Sequence, residues 1–427
     1  MPTRLIVTER TLEAALRMLR GAEAIFGDIG LNRHRDGTEW LLRRVRPITT
    51  WAGREPGVIL TLSPVLRSLA SVPTAVLVLP RDGPPTAQVV HPDGRREPLA
   101  WRLIAPGLPE VLAAEAPMEP TVHDVPEVLD PRWSRIVGAL GEPGWYRLRQ
   151  LHYALIGCGR TGSLLAHSLV RTGARRLTLV DPDFLQRHNL DGDGMLPEAI
   201  GRPKVHALAE SLRAINPAVE LHPLAHSVTE AEILPILKSA DVLICATDHD
   251  GARWACGLLA ALYLKPLLDI GTGISNAEGT ERMGADVRWI VPGECCLLCL
   301  GGLARPEHLA PVRESLARED VHRRDRHWRD ERRGSLRSLN QVATGLALRM
   351  LEDYLTAHLP HSLWLRLTYT GPIPEIRNPS PNRPERARRT RCFCSLTGGG
   401  DQVLQSLHIG VPLEPPQISH SHESHAN

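Results

Sequence analysis

No uninterrupted apolar run in these 427 residues approaches the ~18 that a membrane-spanning helix requires, and the densest, Leu258 to Leu264, is stopped by Lys265-Pro266. The start, Met1 to Gly21, lacks the basic segment and apolar stretch of a secretory signal. It reads instead as a strand and then a helix with Leu12, Ala15, Leu16 and Leu19 on one face. No membrane partner and a cytoplasmic address are therefore expected. Neither sign of charge is in large excess: 50 Lys+Arg against 48 Asp+Glu leave a formal net charge of +2, which argues against a general nucleic-acid binder. No cysteine precedes Cys158, and the clustering of all eight beyond that point favours a metal site or catalysis over a disulfide framework.

What is present is a phosphate cradle. The apolar run Tyr153–Ile156 ends in Gly157-Cys158-Gly159-Arg160-Thr161-Gly162 and continues as an amphipathic helical pattern. Gly157 allows the tight strand-to-helix turn, Gly159 lets backbone N–H groups approach phosphate oxygens, and Gly162 lets helix and strand pack closely. The positive end of the helix dipole then faces the anion. A second apolar run, Leu177–Val180, ends in Asp181, at the distance where an acidic side chain meets a ribose hydroxyl. The motif leaves open which nucleotide is bound, NAD included.

From Tyr153 to about Val291, strand-like runs at 153–156, 177–180, 219–224, 242–246 and 267–270 alternate with helical patterns. This predicts an α/β fold with a doubly wound, mostly parallel, Rossmann-like sheet. Residues 1–110 read as a smaller α+β domain, with strands near Glu39–Val45 and Thr74–Leu79 and a helix at Pro64–Ala70. Residues 111–131 read as a linker, 132–400 as the nucleotide-binding domain, and 401–427 as a disordered tail. The basic run His322 to Arg333 reads as a solvated loop, and a helix near Asn340–Leu355 and a strand at Leu363–Leu367 follow it.

Two close cysteine pairs, Cys296 with Cys299 and Cys392 with Cys394, offer the four thiolates of a closed tetrahedral Zn²⁺ site, since each short loop can present both sulfurs to one ion. Cys245 is expected in the core and Cys256 in the following helix. Cys295 abuts the metal pair, where an exchange of ligands is conceivable.

Past Asp181 the chain reads Pro182-Asp183-Phe184-Leu185-Gln186-Arg187-His188-Asn189-Leu190, then Gly201-Arg202-Pro203-Lys204, Arg213-Ala214-Ile215-Asn216-Pro217, Ala246-Thr247-Asp248-His249-Asp250-Gly251-Ala252-Arg253 and Pro292-Gly293-Glu294-Cys295-Cys296-Leu297-Leu298-Cys299. In order and spacing, from roughly Arg132 to Cys394, this resembles the ThiF/MoeB-like adenylyltransferases of the ubiquitin-activating enzyme superfamily.

The resemblance implies ATP-dependent adenylation of the C-terminal carboxylate of a small ubiquitin-like protein or peptide ending in glycine. The implied catalytic residues are Lys204 on the phosphates, Asp248 holding Mg²⁺, and Arg135 reaching a γ-phosphate, often across a homodimer interface. Asp181 would bind the ribose, with Asp183 and Asn189 ordering the site around ATP. Cys296, Cys299, Cys392 and Cys394 would hold a zinc joining the sheet to the C-terminal segment. Each residue also has an ordinary reading: Lys204 a surface lysine, Asp248 a helix N-cap, Asn189 a turn residue, Arg135 a helix-surface arginine.

One departure stands out. Relatives follow the asparagine and leucine with a motif that contains an arginine, whereas this chain reads Asp191-Gly192-Asp193, so Arg187 or Arg202 would have to replace the charge. The alternatives are a pseudoenzyme that holds ATP and a partner without turnover, and adenylation of another acceptor such as a modified peptide or tRNA. No cysteine lies between Cys299 and Cys392, so no dedicated internal thioester nucleophile is expected. The first hundred residues faintly resemble the JAB/MPN isopeptidase fold, with Pro80-Arg81-Asp82 where its His-x-His ligands would stand; such a domain would be metal-free and retained for binding.

Overall fold

A computed structural model describes residues 2–50, 56–62, 71–80, 83–108, 110–111, 130–277, 280–303, 336–369, 371, 373–379 and 392–407. The expected helix at 64–70, most of the linker, the basic run at 322–333 and the chain after 407 lie outside these residues.

The first unit comprises β1 (Arg4–Thr8), α1 (Glu9–Leu19), β2 (Ala24–His34), β3 (Gly37–Pro47), β4 (Val58–Thr61), β5 (Thr74–Val78), β6 (Thr86–Val90), β7 (Arg96–Pro98), β8 (Ala100–Ile104) and β9 (Glu110–Val111). Among the described residues these strands form one sheet in the order β7-β6-β5-β4-β2-β3-β1-β8-β9. Thr8 caps α1 by accepting the Thr11 N–H at 3.2 Å. Ala15 and Leu19 are buried as the helical period predicts, but Leu16 faces solvent, so the apolar stripe is narrower than expected. Strand β2 pairs with β4 only over Ala24–Gly27 and with β3 from Ile25 to His34. The open edge beyond Gly27 needs another cover.

The second unit is built from α2 (Ser134–Gln150), β10 (His152–Ile156), α3 (Arg160–Thr172), β11 (Arg176–Val180), α4 (Lys204–Ile215), β12 (Glu220–Leu224), α5 (Leu234–Ser239), β13 (Val242–Cys245), α6 (Asp250–Leu262), β14 (Leu267–Ala277), β15 (Thr280–Ile290), α7 (Arg337–Leu355), β16 (Leu363–Tyr369), β17 (Glu375–Arg377) and α8 (Gly400–Ser406). Its sheet runs β12-β11-β10-β13-β14-β15-β16-β17. The first five strands are parallel, and β14 onward is an antiparallel meander. The α/β, Rossmann-like fold expected from the alternating pattern is therefore present. The core strands Tyr153–Ile156 and Val242–Cys245 read as continuous apolar runs because both faces are covered, and every one of these residues is buried.

The chain stays ordered past residue 400, where the sequence reading begins a tail. Asp401 in α8 is buried, accepts a bond from Lys238 Nζ at 2.7 Å and from Tyr263 Oη at 2.9 Å, and takes the Arg33 N–H of β2 at 3.0 Å. The Leu31 N–H donates to Gln402 Oε1 at 2.9 Å. Residues 398–402 thus cover the free edge of β2. Three consecutive glycines let the two backbones meet: a Cβ on Gly400 would lie 2.2 Å from the Leu31 carbonyl oxygen, and one on Gly30 would lie 2.0 Å from that of Gly398. Glu39 of β3, nearly sealed from solvent, accepts from Lys265 Nζ at 3.3 Å and from Asn32 Nδ2 at 2.8 Å, tying the first sheet to the second unit.

Candidate nucleotide-binding site

Strands β11 and β13 flank β10 on opposite sides, so the chain switches direction across the sheet at β10/β13. A doubly wound sheet opens a crevice beyond the carboxyl ends of its strands at that point. The loop after β10 carries Gly157, Gly159 and Gly162; the loop after β13 carries Thr247 and Asp248. They touch. A Cβ on Gly157, which has φ +94°, would lie 2.7 Å from the Ala246 carbonyl oxygen, and one on Gly162 would lie 1.8 Å from the Gly157 carbonyl oxygen. Both positions therefore require glycine, and Gly159 is the N-cap of α3, leaving the first N–H groups of that helix facing the crevice.

Asp181, at the end of β11, accepts the Cys158 N–H at 2.7 Å and the Asp183 N–H at 2.9 Å. Burial raises its pKa above the usual carboxylate range, against the lowering effect of Lys204 and of these two donors. Lys204 opens α4, is itself mostly buried, and donates to Asp183 Oδ2 at 2.7 Å. It is thus no surface lysine. Asp183, Asp181 and Lys204 form one linked group beside the loop.

Asp248 is exposed and lies one residue before His249, the N-cap of α6, so it does not occupy the cap position itself. Arg253, buried one turn into α6, holds this loop. Its Nε and Nη2 donate to the Thr247 carbonyl oxygen at 3.1 and 2.9 Å, while Nη1 pairs with the fully buried Asp269 at 2.7 Å. Asn189 spends its carboxamide oxygen on the Gln186 N–H at 3.0 Å, closing a turn.

Arg135 is exposed, and the structure does not bring it to the loop. Trp133 and Trp145 pack around Gly173 at the C-terminal end of α3, with Trp145 Nε1 donating to the Thr172 carbonyl oxygen at 3.1 Å. That end lies about 20 Å from Gly159 by the helical rise.

Two further arginines crowd the crevice. Arg160, the first residue of α3, pairs with Asp191 and donates from Nη2 to the His188 carbonyl oxygen at 3.1 Å. Arg337, first residue of α7, donates to the Asp191 carbonyl oxygen at 2.6 Å and pairs with Asp193. Arg160 lies in the glycine motif, but no local pattern marks Arg337, which is distant in sequence. Arg202, a sequence-based candidate for the missing charge, is committed to Glu210 at 2.8 Å.

The Sγ atoms of Cys296, Cys299, Cys392 and Cys394 all lie within 4.8 Å of one another, with Cys296 and Cys299 at 3.5 Å and Cys299 and Cys394 at 3.6 Å. A tetrahedral ion with Zn–S bonds of about 2.3 Å sets its sulfurs roughly 3.8 Å apart, so the donor set fits zinc. Cys295 is not in this cluster. Cys245 lies in the core and Cys256 in α6, both fully buried.

The ThiF family profile matches residues 133–370, more than half of the chain. The chain belongs to the ThiF family. Among its relatives, the adenylyltransferase and sulfurtransferase MOCS3 of Sus scrofa is 34% identical over 174 residues, 40% of this chain and 38% of that protein. The SAMP-activating enzyme E1 of Haloferax volcanii is 28% identical over 172 residues, 40% of this chain and 61% of that protein. The chain thus matches less than two thirds of the length of either relative. Among solved structures, E. coli MccB in complex with N-formylated MccA aligns over 62% of this chain and 76% of that one, with a TM-score of 0.48 and 16% identity. The ThiF match begins after the first sheet, so the JAB/MPN resemblance gains nothing from it. Among the described residues, no helix is long and apolar enough to cross a membrane.

Proposed function

We propose that this ThiF-family chain is an ATP-dependent adenylyltransferase that activates the C-terminal carboxylate of a ubiquitin-like protein or a peptide ending in glycine, acting as a cytoplasmic homodimer. The observation that supports this most is the contact of the glycine loop with Ala246–Thr247, which brings the loop that carries Asp248 against the loop that leads into α3.

A carboxylate is a weak nucleophile repelled by a triphosphate, so phosphate charge must be neutralised and attack on the α-phosphorus aligned. In this reading the acceptor oxygen bonds to the α-phosphorus as the bond to the β-phosphate oxygen breaks, and pyrophosphate leaves. Lys204 and the α3 N–H groups hold phosphate oxygens, Asp181 the ribose, and Asp183 orients Lys204. Asp248 suits Mg²⁺, an oxygen-seeking ion that would neutralise phosphate charge. Arg135, remote from its own loop, would serve from a second copy. The four cysteines hold zinc in a structural role, and the adenylate passes to its acceptor without a thioester on this chain.

Pyrophosphate–ATP exchange with a glycine-terminated partner, together with thermal shifts for ATP·Mg and NAD, tests the proposal. Exchange and an ATP-specific shift are expected. Stabilisation by NAD but not ATP would overturn it. The Asp191 and Asp193 carboxylates beside the loop favour a second reading, a protein that binds ATP without turnover, which would show the ATP shift but no exchange.

A further inference from the structure

The turn at 189–193, closed by the Gly192 N–H donating to the Asn189 carbonyl oxygen at 2.9 Å, is fastened to the first turn of α3 by the Asp193 N–H, which donates to Ser163 Oγ at 3.1 Å. It therefore places the carboxylates of Asp191 and Asp193 beside the helix end that faces the crevice. Two uncompensated carboxylates there would repel a triphosphate. Each is instead met by an arginine, Asp191 by Arg160 and Asp193 by Arg337.

The two pairs differ in what they can release. Arg337 comes from α7 and also holds the Asp191 backbone carbonyl, so it anchors the turn. Arg160 directly follows Gly159, the cap of the phosphate-facing helix end, and about a third of its side chain is open to solvent. A planar guanidinium that meets a carboxylate suits phosphate oxygens by the same fork geometry. We infer that Arg160 is a nucleotide-binding residue of this site: Asp191 stands in for phosphate in the free protein, and Arg160 transfers to the triphosphate when ATP binds. Arg160 thereby supplies the cation that the sequence Asp191-Gly192-Asp193 omits. This inference rests on the ATP-binding reading above.

The test is calorimetric titration of the full-length protein with ATP·Mg and, separately, with adenosine. Arg160→Ala should weaken ATP binding by about 10- to 100-fold, the range for charge-assisted hydrogen bonds, and leave adenosine affinity unchanged. Arg160→Lys should recover part of the loss. Asp191→Asn should act in the opposite direction, tightening ATP binding several-fold by freeing the guanidinium, while Arg202→Ala changes nothing. If Arg160→Ala binds ATP like the wild type while Lys204→Ala does not, Arg160 is an ordinary surface pair and the inference is wrong, although the ATP reading survives. Equal loss in Asp191→Asn and Arg160→Ala, or equal loss of adenosine binding, would mean that the pair only supports the turn. No ATP binding by the wild type would overturn both.

Discussion

Asp181 Oδ2 accepts the backbone N–H of Cys158 at 2.7 Å, so the acid at the end of β11 fastens the middle of the glycine loop. The residue expected to meet a ribose also shapes the cradle. Asp181→Ala should therefore weaken adenosine and ATP alike, because it removes both the hydroxyl partner and the loop tie. Calorimetry with the two ligands checks this. Loss confined to ATP would place the ribose elsewhere.

Gly162→Ala forces a Cβ to within 1.8 Å of the Gly157 carbonyl oxygen, and no flexible side chain is there to yield. The loop must move. A destabilisation of about 1–3 kcal/mol is expected from overpacking, together with loss of the ATP-dependent thermal shift. Chemical denaturation and melting with ATP·Mg measure the two effects. A variant with an intact shift would show that the loop tolerates the displacement.

Asp248→Ala should spare the sheet, since the side chain is exposed, but remove the carboxylate proposed for Mg²⁺. Pyrophosphate release should slow by at least ~10²-fold, or about 2.7 kcal/mol, at nearly unchanged stability. Equal rates in wild type and variant would remove the assignment.

Cys296→Ser and Cys394→Ser should each lower the zinc content below about one ion per chain and destabilise the C-terminal segment, because that ion would bridge the loop after β15 to residues 392–394. Metal analysis of purified protein checks it. A well-folded wild type free of metal would dispose of the zinc site.

His152 is buried with its Nε2 2.8 Å from Thr178 Oγ1, and its pKa is lowered from 6.5 to about 4, first by burial and then by the Arg176 charge. Below about 6.5 the unfolded chain protonates this group while the folded chain does not. Stability should therefore fall with pH from about 6.5 to about 4, by at most about 3 kcal/mol from this residue. Denaturant midpoints across that range should be flatter for His152→Gln; coincident profiles would show that other groups set the acid limb.

The parallel half of the second sheet was legible because strands covered on both faces become unbroken apolar runs, as at Tyr153–Ile156 and Val242–Cys245. The glycine loop was legible because backbone contact at Gly157 and Gly162 excludes any side chain. The β14–β15 hairpin was less so: glycines at 271, 273 and 284 interrupt the strand pattern, and the reason for the first is tertiary, since a Cβ on Gly271 would lie 2.8 Å from Arg253 Nη2. Arg337 was invisible because its partners Asp191 and Asp193 lie far back along the chain. Helix α8 was hard to read because only Val403 and Leu404 of its seven residues are apolar, too few for a periodic stripe; Leu404 packs into the core, and the buried pair of Asp401 with Lys238 adds a contact that no local pattern marks.

That last helix has a consequence for how the molecule is made. The edge of β2 leaves the ribosome well before its cover, Gly398–Gln402, which lies far along the chain. The first sheet must therefore remain with a bare edge, open to unwanted strand pairing, until residues 398–402 have been synthesised. Its completion is a ring closure, and a chain released early would leave that edge exposed.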